Sequence, residues 1–364
     1  MPINLHLKFE LKCKSGKTST NKTKTVVIDT AKIACKYLSN TVLVLKPIID
    51  SLIICYRFND VPKHEHEELQ TQIRSYLTIH DMDLHDEKYN SISFSDAKKP
   101  KYRGYKQNIY YTHSNGTKTL IQTDPKKDKL GKTSRPYLKL WVSPYKLGKE
   151  GIKELRELIL NMTLQTISLD QVLAHENCAE QIDVAVDILG VAAEDLVIEG
   201  ERNVESKSMG IHNPKGRLQT KYVDYKPGKS TRTYVYDKRA ELIESGAEPM
   251  YDGVLHTRVE HRIKTKMPVT KWAKIKNHLK KIDLWAIDYS LLKPHHNFTH
   301  VLFIKYVIAR TLVKALELIP KESKVEYQQS FYCARRNIWE PNKLWKKHWP
   351  RMMKESGLLP EDDN

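Results

Sequence analysis

The chain has no closely spaced cysteines. Cys13, Cys35, Cys55, Cys178 and Cys333 are odd in number, far apart and never in a C-x-x-C spacing. That argues against a structural zinc motif and a disulfide framework, and for a reducing, cytoplasmic setting. No glycine-rich phosphate loop or dinucleotide fingerprint is present, so ATP hydrolysis by this chain is not expected. A long apolar run is missing too. The longest stretch, Val301 to Ile319, is interrupted by Lys305, Arg310, Lys314 and Glu317, and reads as one buried amphipathic helix instead of a membrane span. Met1 to Val26 is rich in Lys and Thr and has no apolar core of signal-peptide length, so no secretory leader is expected. No internal repeat recurs at a fixed period.

Negative charge is in short supply: 61 Lys+Arg stand against 44 Asp+Glu, a formal charge of +17 over 364 residues. Such a field attracts polyanions, and nucleic acid is the leading partner. A membrane surface is not expected, because the basic residues are spread along the chain and not clustered beside an anchor. Tyrosines are interleaved with these cations. The stretch from Lys98 to Tyr111 carries Lys101, Tyr102, Arg103, Tyr105, Lys106, Tyr110 and Tyr111, which suits melted or single-stranded DNA: cations for phosphates, flat rings for unstacked bases. Arg335-Arg336 and Trp345-Lys346-Lys347-His348-Trp349 repeat the theme on expected helices, where core tryptophans beneath a solvated charged face are the plainer reading.

The order of elements predicts an α+β protein, an antiparallel-rich central sheet with helices on one face. Residues 1–46 form a basic lead-in with a strand at Asn4 to Leu11 and an apolar helix or strand near Ala31 to Leu45. The main α+β domain runs over 47–290 and a basic helical region over 291–364. Strands are expected at Ile48 to Phe58, Thr233 to Asp237 and His256 to Lys264, and helices at His64 to Leu77 and Gly148 to Gln165, the latter with Ile152, Leu155, Leu158, Ile159 and Met162 on one side. Asn115-Gly116 between two Tyr/Thr/Ile-rich runs predicts a hairpin. Val204 to Arg232 is polar and partly hairpin, and the composition after Pro268 reads as helical to the end.

Two strands carry the chemistry. In Ile182-Asp-Val-Ala-Val-Asp187 and Arg258-Val-Glu-His-Arg262, charged residues alternate with apolar ones, so Asp183, Asp187 and Glu260 share one face while Ile182, Val184, Val186 and Val259 take the other. Carboxylates on rigid strands can hold a hard divalent ion. At about 3.3 Å per residue, Asp183 and Asp187 are roughly 13 Å apart, too far to clasp one ion together. One of them must pair with a carboxylate from a neighbouring strand, with Glu260 the best candidate, and Asp187 could instead cap the following turn. The plainer reading is a solvated face bridged to Arg258, Arg262 or Lys238. His261 points away from Glu260 and reads as packing. His64-Glu65-His66 reads as helix surface, His80 to Asp86 as a polar loop, and His295-His296 as a linker.

Gln181 to Asp187, Tyr222 with Tyr236-Asp237-Lys238, and Arg258-Val-Glu260-His-Arg262 together resemble the plasmid and phage rolling-circle replication initiators of the Rep_trans type, HUH-like nicking endonucleases. Ile49-Asp50-Ser51-Leu52 resembles that family's opening strand, and the likeness covers roughly residues 46–290. Two positions differ: Gln181 stands where the family usually has Arg, and Tyr222-Val223-Asp224-Tyr225 lacks the family's Gly-Ser. The resemblance implies a metal-dependent enzyme, using Mg2+ or Mn2+ held by Asp183, Asp187 and Glu260, that nicks and rejoins one DNA strand at an origin through a 5′-phosphotyrosine. Tyr222, 14 residues before Tyr236, matches the family's offset for the nucleophile. Tyr225 is the reserve, and Tyr234 and Tyr236 stay open, with Lys238 beside them. Lys101, Arg103, Tyr105, Lys106, Arg258, Arg262, Arg335 and Arg336 are the expected DNA contacts. Double- and single-stranded origin DNA would be the partners, with a host helicase and a homodimer left open. Two other functions share this surface: an inactive sequence-specific DNA-binding regulator, and a nuclease that uses metal and water with no covalent intermediate.

Overall fold

The computed structural model describes residues 8–9, 26–27, 42–57, 63–82, 92–94, 104–126, 136–175, 178–200, 209–212, 218–223, 233–251, 253–265, 267–293, 297–310 and 312–359. In chain order the strands are β1 (Lys8–Phe9), β2 (Val26–Val27), β3 (Leu43–Val44), β4 (Ile48–Tyr56), β5 (Ile92–Phe94), β6 (Tyr105–Thr112), β7 (Lys118–Pro125), β8 (Leu138–Val142), β9 (Ala179–Leu189), β10 (Leu196–Gly200), β11 (Met209–His212), β12 (Leu218–Val223), β13 (Thr233–Asp237), β14 (His256–Ile263), β15 (Ile282–Ile287) and β16 (Arg335–Asn337). The helices are α1 (Lys63–Met82), α2 (Pro144–Met162), α3 (Leu169–Ala174), α4 (Lys238–Glu244), α5 (Phe298–Ala309), α6 (Leu312–Glu317), α7 (Lys324–Ala334) and α8 (Pro341–Glu355).

The protein is α+β. An eleven-stranded sheet runs β11-β12-β13-β14-β9-β4-β8-β7-β6-β5, with β3 pairing one end of β9, and every pairing in it is antiparallel. β9 lies at the centre because its inner residues are apolar enough to be covered from both sides: Ile182, Val184, Ala185 and Val186 are fully buried. On the apolar face Leu52, Ile54, Leu140, Ile182, Val184 and Val186 meet the buried stripe of α2, Ile152, Leu155, Leu158, Ile159 and Met162. Each such side chain contributes about 1.5–3 kcal/mol of burial.

Local chemistry sets the boundaries. The β6–β7 hairpin closes at Asn115-Gly116, where Gly116 takes a φ of 79° that a side chain would oppose. α3 begins with a capping box between Ser168 and Gln171, which satisfies otherwise orphaned backbone donors. α2 starts four residues earlier than its spacing predicts, on Pro144 at its first turn, and is broken at Gly148, whose φ is 65°.

The carboxyl-terminal third departs from the helical expectation. β15 and β16 join β10 in a three-stranded sheet, and the run Val301 to Ile319 is two helices, α5 and α6, broken at Arg310. Buried Lys221, on β12, donates from Nζ to the Ile308 carbonyl at 2.5 Å. That bond takes up a carbonyl at the end of α5 and favours termination there. α5, α6 and α7 pack on β10 and β15 around Phe303, Ile304, Val307 and Phe331, whereas α8 inserts Trp345, Trp349, Met352 and Met353 into the main core.

Candidate active site

The face of the sheet opposite α2 is built from rows of residues in register. Across β9, β14 and β13, Asp187 faces Arg258 and Arg258 faces Tyr236. In the next row Ala185 faces Glu260, Glu260 faces Tyr234, and Tyr234 faces Tyr222 on β12. In the row beyond, Asp183 faces Arg262. Strand spacing of about 4.8 Å brings the carboxylates, guanidinium groups and phenols of one row into reach of each other. Asp50 reaches the same face from β4, whose register with β9 shifts between Ile49 and Ser51.

Two arginines organise the acids. Arg258 grips Asp187 with Nε at 2.6 Å and Nη2 at 2.8 Å, and donates from Nη1 to Asp50 at 2.7 Å. Arg262 grips Asp183 with Nε and Nη2, both at 2.9 Å, and donates from Nη1 to the Tyr234 hydroxyl at 2.7 Å. Three of the roughly five N–H donors of each guanidinium are used in these bonds. Gln181 adds a donor to Asp183 at 2.9 Å. His256 Nε2 lies 3.2 Å from Asp187, and its ring meets Tyr251 edge-on at 5.3 Å.

Among the described residues no arginine grips Glu260. Its carboxylate accepts from the Tyr236 hydroxyl at 3.3 Å. Burial, then the nearby charges of Asp183 and Asp50, push its pKa up from 4.5 to about 7, because a half-buried carboxyl among like charges resists ionising. Asp187 goes the other way: burial alone would raise it, but the hydrogen bonds and charge of Arg258, helped by His256, hold it well below the usual range. Tyr236 is raised by burial and by Glu260, so its phenol stays protonated. Burial also raises Tyr234, more than Arg262 lowers it.

The Tyr236-Asp237-Lys238 triplet ends a strand and starts a helix. Asp237 caps α4 by accepting from the Ala240 amide at 2.9 Å. Lys238 is buried, paired with Glu241, and its ammonium lies 5.9 Å from the Tyr236 ring centre. Tyr222 packs edge-on to Tyr234 with ring centres 5.4 Å apart.

The structure therefore brings Asp183, Asp187, Glu260, Arg258, Arg262, Tyr222, Tyr234, Tyr236 and Lys238 onto one side of four adjacent strands and the helix that follows. His261 is turned away, buried, and bonded to the Thr233 hydroxyl at 2.9 Å. Among the described residues no three His, Cys, Asp or Glu side chains converge as a ready metal site, since Asp183 and Asp187 are each held by an arginine. The charges of Asp183 and Asp50 are near enough to add to the rise in Glu260, but Asp50 and Asp183 are themselves bonded to Arg258 and Arg262, so the three do not form a preassembled ligand set.

Other expected contacts fall elsewhere. Tyr225, Lys101, Arg103, His295 and His296 lie outside the described residues. Tyr105 is 5% exposed, a correction to its expected role as a stacking platform: it starts β6 with its ring turned inward. Lys106 is exposed and 3.3 Å from Asp124. Arg335 and Arg336 are on β16 and not on a helix; pairing with β15 extends them, and Arg335 lies over the Trp285 ring at 3.8 Å. Trp345 and Trp349 are core residues, stacked at 4.3 Å.

Sequence reasoning did not assign Asp50, Gln181, His256, Tyr145 or Tyr251 to this site. Tyr145, at the start of α2, has its phenol raised by burial and then by Asp187; Ser143, two residues before it, donates to the Asp50 carbonyl at 2.6 Å and ties this turn to the site. A single charged residue within the apolar run Ile48 to Tyr56 was the available signal for Asp50, because a buried charge needs a partner. No protein-family model matches this chain, and no curated protein matches it.

Proposed function

We propose that this protein is a replication initiator that nicks and rejoins one DNA strand at a plasmid or phage origin, with the arginine-carboxylate-tyrosine face as its active site. The observation that carries the reading is the row Tyr222, Tyr234, Glu260, flanked by the Arg258–Asp187 and Arg262–Asp183 pairs. Phenols, a carboxyl raised to near neutrality and fixed guanidinium groups in one layer support the roles of nucleophile, proton acceptor and phosphodiester grip.

In this mechanism the Tyr222 oxygen attacks the phosphorus and the P–O3′ bond breaks. The phenol's proton passes toward Glu260, and the 3′-oxygen leaves as a hydroxyl after taking up a proton from solvent water. The enzyme is left with a 5′-phosphotyrosine, which stores the bond energy for rejoining by attack of a 3′-hydroxyl. Arg258 and Arg262 orient the phosphate with their remaining donors, and Asp187, Asp50 and Asp183 fix those arginines. Lys238 adds positive charge beside Tyr236. Mg2+ or Mn2+ belongs to the reading as the group that would neutralise charge on the attacked phosphate; Asp183 and Asp187 would hold it only on release from Arg262 and Arg258, which leaves Glu260 as the proton acceptor.

The grip of Arg258 and Arg262 on both aspartates favours a second reading, a DNA-binding regulator without chemistry, in which the same network is purely structural. One assay separates them. Full-length protein is incubated with labelled single-stranded oligonucleotides in Mg2+ or Mn2+ and run on a denaturing gel. A protein-linked label that disappears in Tyr222→Phe is the expected result. Binding without cleavage selects the regulator, and cleavage without linkage selects a water-using nuclease.

A further inference from the structure

We infer that the outer face of α8, with the two 3-10 turns docked against it, is a landing surface for the phosphate backbone of duplex DNA, separate from the sheet face. The inference rests on the proposal that DNA is the substrate. α8 is amphipathic by construction: Trp345, Trp349, Met352 and Met353 are buried, and its lysines face outward. Lys346, Lys347 and Lys354 are exposed, and no carboxylate among the described residues pairs with them. Glu340 takes only Lys343, and Glu355 takes Arg351 and Lys46.

More cations border the helix. The turn Val269–Lys274 is fixed beneath α8 by Trp349, whose indole donates to the Trp272 carbonyl at 2.8 Å, and it exposes Lys271 and Lys274. The turn Leu279–Lys281 is tied nearby through Asn277, which donates to the Pro341 carbonyl at 3.1 Å, and it exposes Lys280. A groove beside α8 is lined by Ile338, Leu344, Lys343, Lys347, His348 and Glu340, among others. His348 Nδ1 is buried there with no hydrogen-bond partner among the described residues. Burial, then the charges of Lys347, Arg351 and Lys46, lower that imidazole's pKa.

The chemistry selects the occupant. At about 1.5 Å per residue α8 is roughly 22 Å long, which spans about six phosphates of one strand. A membrane surface suits it poorly, because the apolar residues that would enter lipid are already in the core.

The test uses full-length protein and the Lys271→Ala/Lys274→Ala/Lys354→Ala variant, with equal urea midpoints confirming an intact fold. Binding to a fluorescent 30-base-pair duplex is measured by anisotropy across a KCl series. The variant should bind at least tenfold more weakly at low salt, and its log-log salt slope should become shallower by about 0.9 for each phosphate that is no longer neutralised. Adduct formation on a short single-stranded oligonucleotide should be unchanged. Unchanged duplex affinity and slope overturn the landing surface whatever the cleavage result. Loss of binding only to phosphatidylserine-containing vesicles, with duplex binding intact, overturns the choice of DNA. Failure of the unaltered protein to form an adduct strikes the proposed enzyme instead and leaves the duplex measurement to stand.

Discussion

Replacing Glu260 by glutamine should make the protein more stable at alkaline pH and inactive. Glu260 titrates near 7 in the folded protein, raised first by burial and then by Asp183 and Asp50, against 4.5 for an ordinary glutamate. Between those values the folded state binds the proton and the unfolded state has released it, so stability falls as pH rises through 4.5 to 7. At 1.36 kcal/mol per unit, the full loss above pH 7 is about 3 kcal/mol. Glutamine keeps the shape and still accepts from Tyr236, but never ionises. Urea unfolding of both proteins from pH 4 to 9 should give matching curves near pH 4 and a gap that opens to about 3 kcal/mol by pH 8. Asp187 does not blur the window. Its folded pKa is depressed, so its stabilisation is present above 3.8 and is lost only as pH falls below that. A gap that does not change with pH would refute the crowding argument.

Three further outcomes follow from the same geometry. Arg258→Ala strands buried Asp187 and removes the Asp50 hydrogen bond, so unfolding free energy should drop by about 3–5 kcal/mol, and a drop under about 1 kcal/mol would show that the pair is not desolvated. Mass-spectrometric mapping of the DNA-bearing peptide should place the adduct on Tyr222, while Tyr234→Phe and Tyr236→Phe keep some adduct; attachment elsewhere rejects the assignment. Arg103→Ala with Lys106→Ala should weaken DNA binding and lower the salt slope by about one unit for each phosphate these side chains neutralise, and unchanged binding would turn that hairpin away from DNA.

Alternation made the main strands legible. Ile182 to Asp187 and Arg258 to Ile263 display their two faces in sequence, so the shared side of Asp183, Asp187 and Glu260 could be read from parity alone. Pairing could not. That Asp187 would meet Arg258, and Asp183 meet Arg262, depends on the register between strands some seventy residues apart. Asp50 escaped because a register shift on β4 breaks the parity around it. β15 escaped for a different reason: Ile282, Leu284 and Ala286 do alternate, but over six residues that follow Lys280-Lys281 the period is too short to outweigh a helical composition. Trp345 and Trp349 left two readings open in the sequence, nucleic-acid platform or core, because a four-residue spacing on a basic helix looks the same whether its aromatic side meets a base or a core.

The central place of β9 shapes how the chain must be made. β4 finishes at Tyr56, yet the partner that covers one of its edges begins at Ala179. At synthesis rates of about 5–20 residues per second, that edge waits roughly 6–25 seconds for its neighbour to leave the ribosome. β8, covering the other edge, begins only at Leu138, so for much of that time Ile48 to Tyr56 is an apolar strand with two unpaired margins, the kind of segment that holding chaperones bind and that adds strands from other nascent chains. The folding rate should accordingly be set by docking of β9 between β4 and β14, an assembly step of long sequence separation, and expression should depend more on chaperone supply than the stability of the finished sheet would suggest.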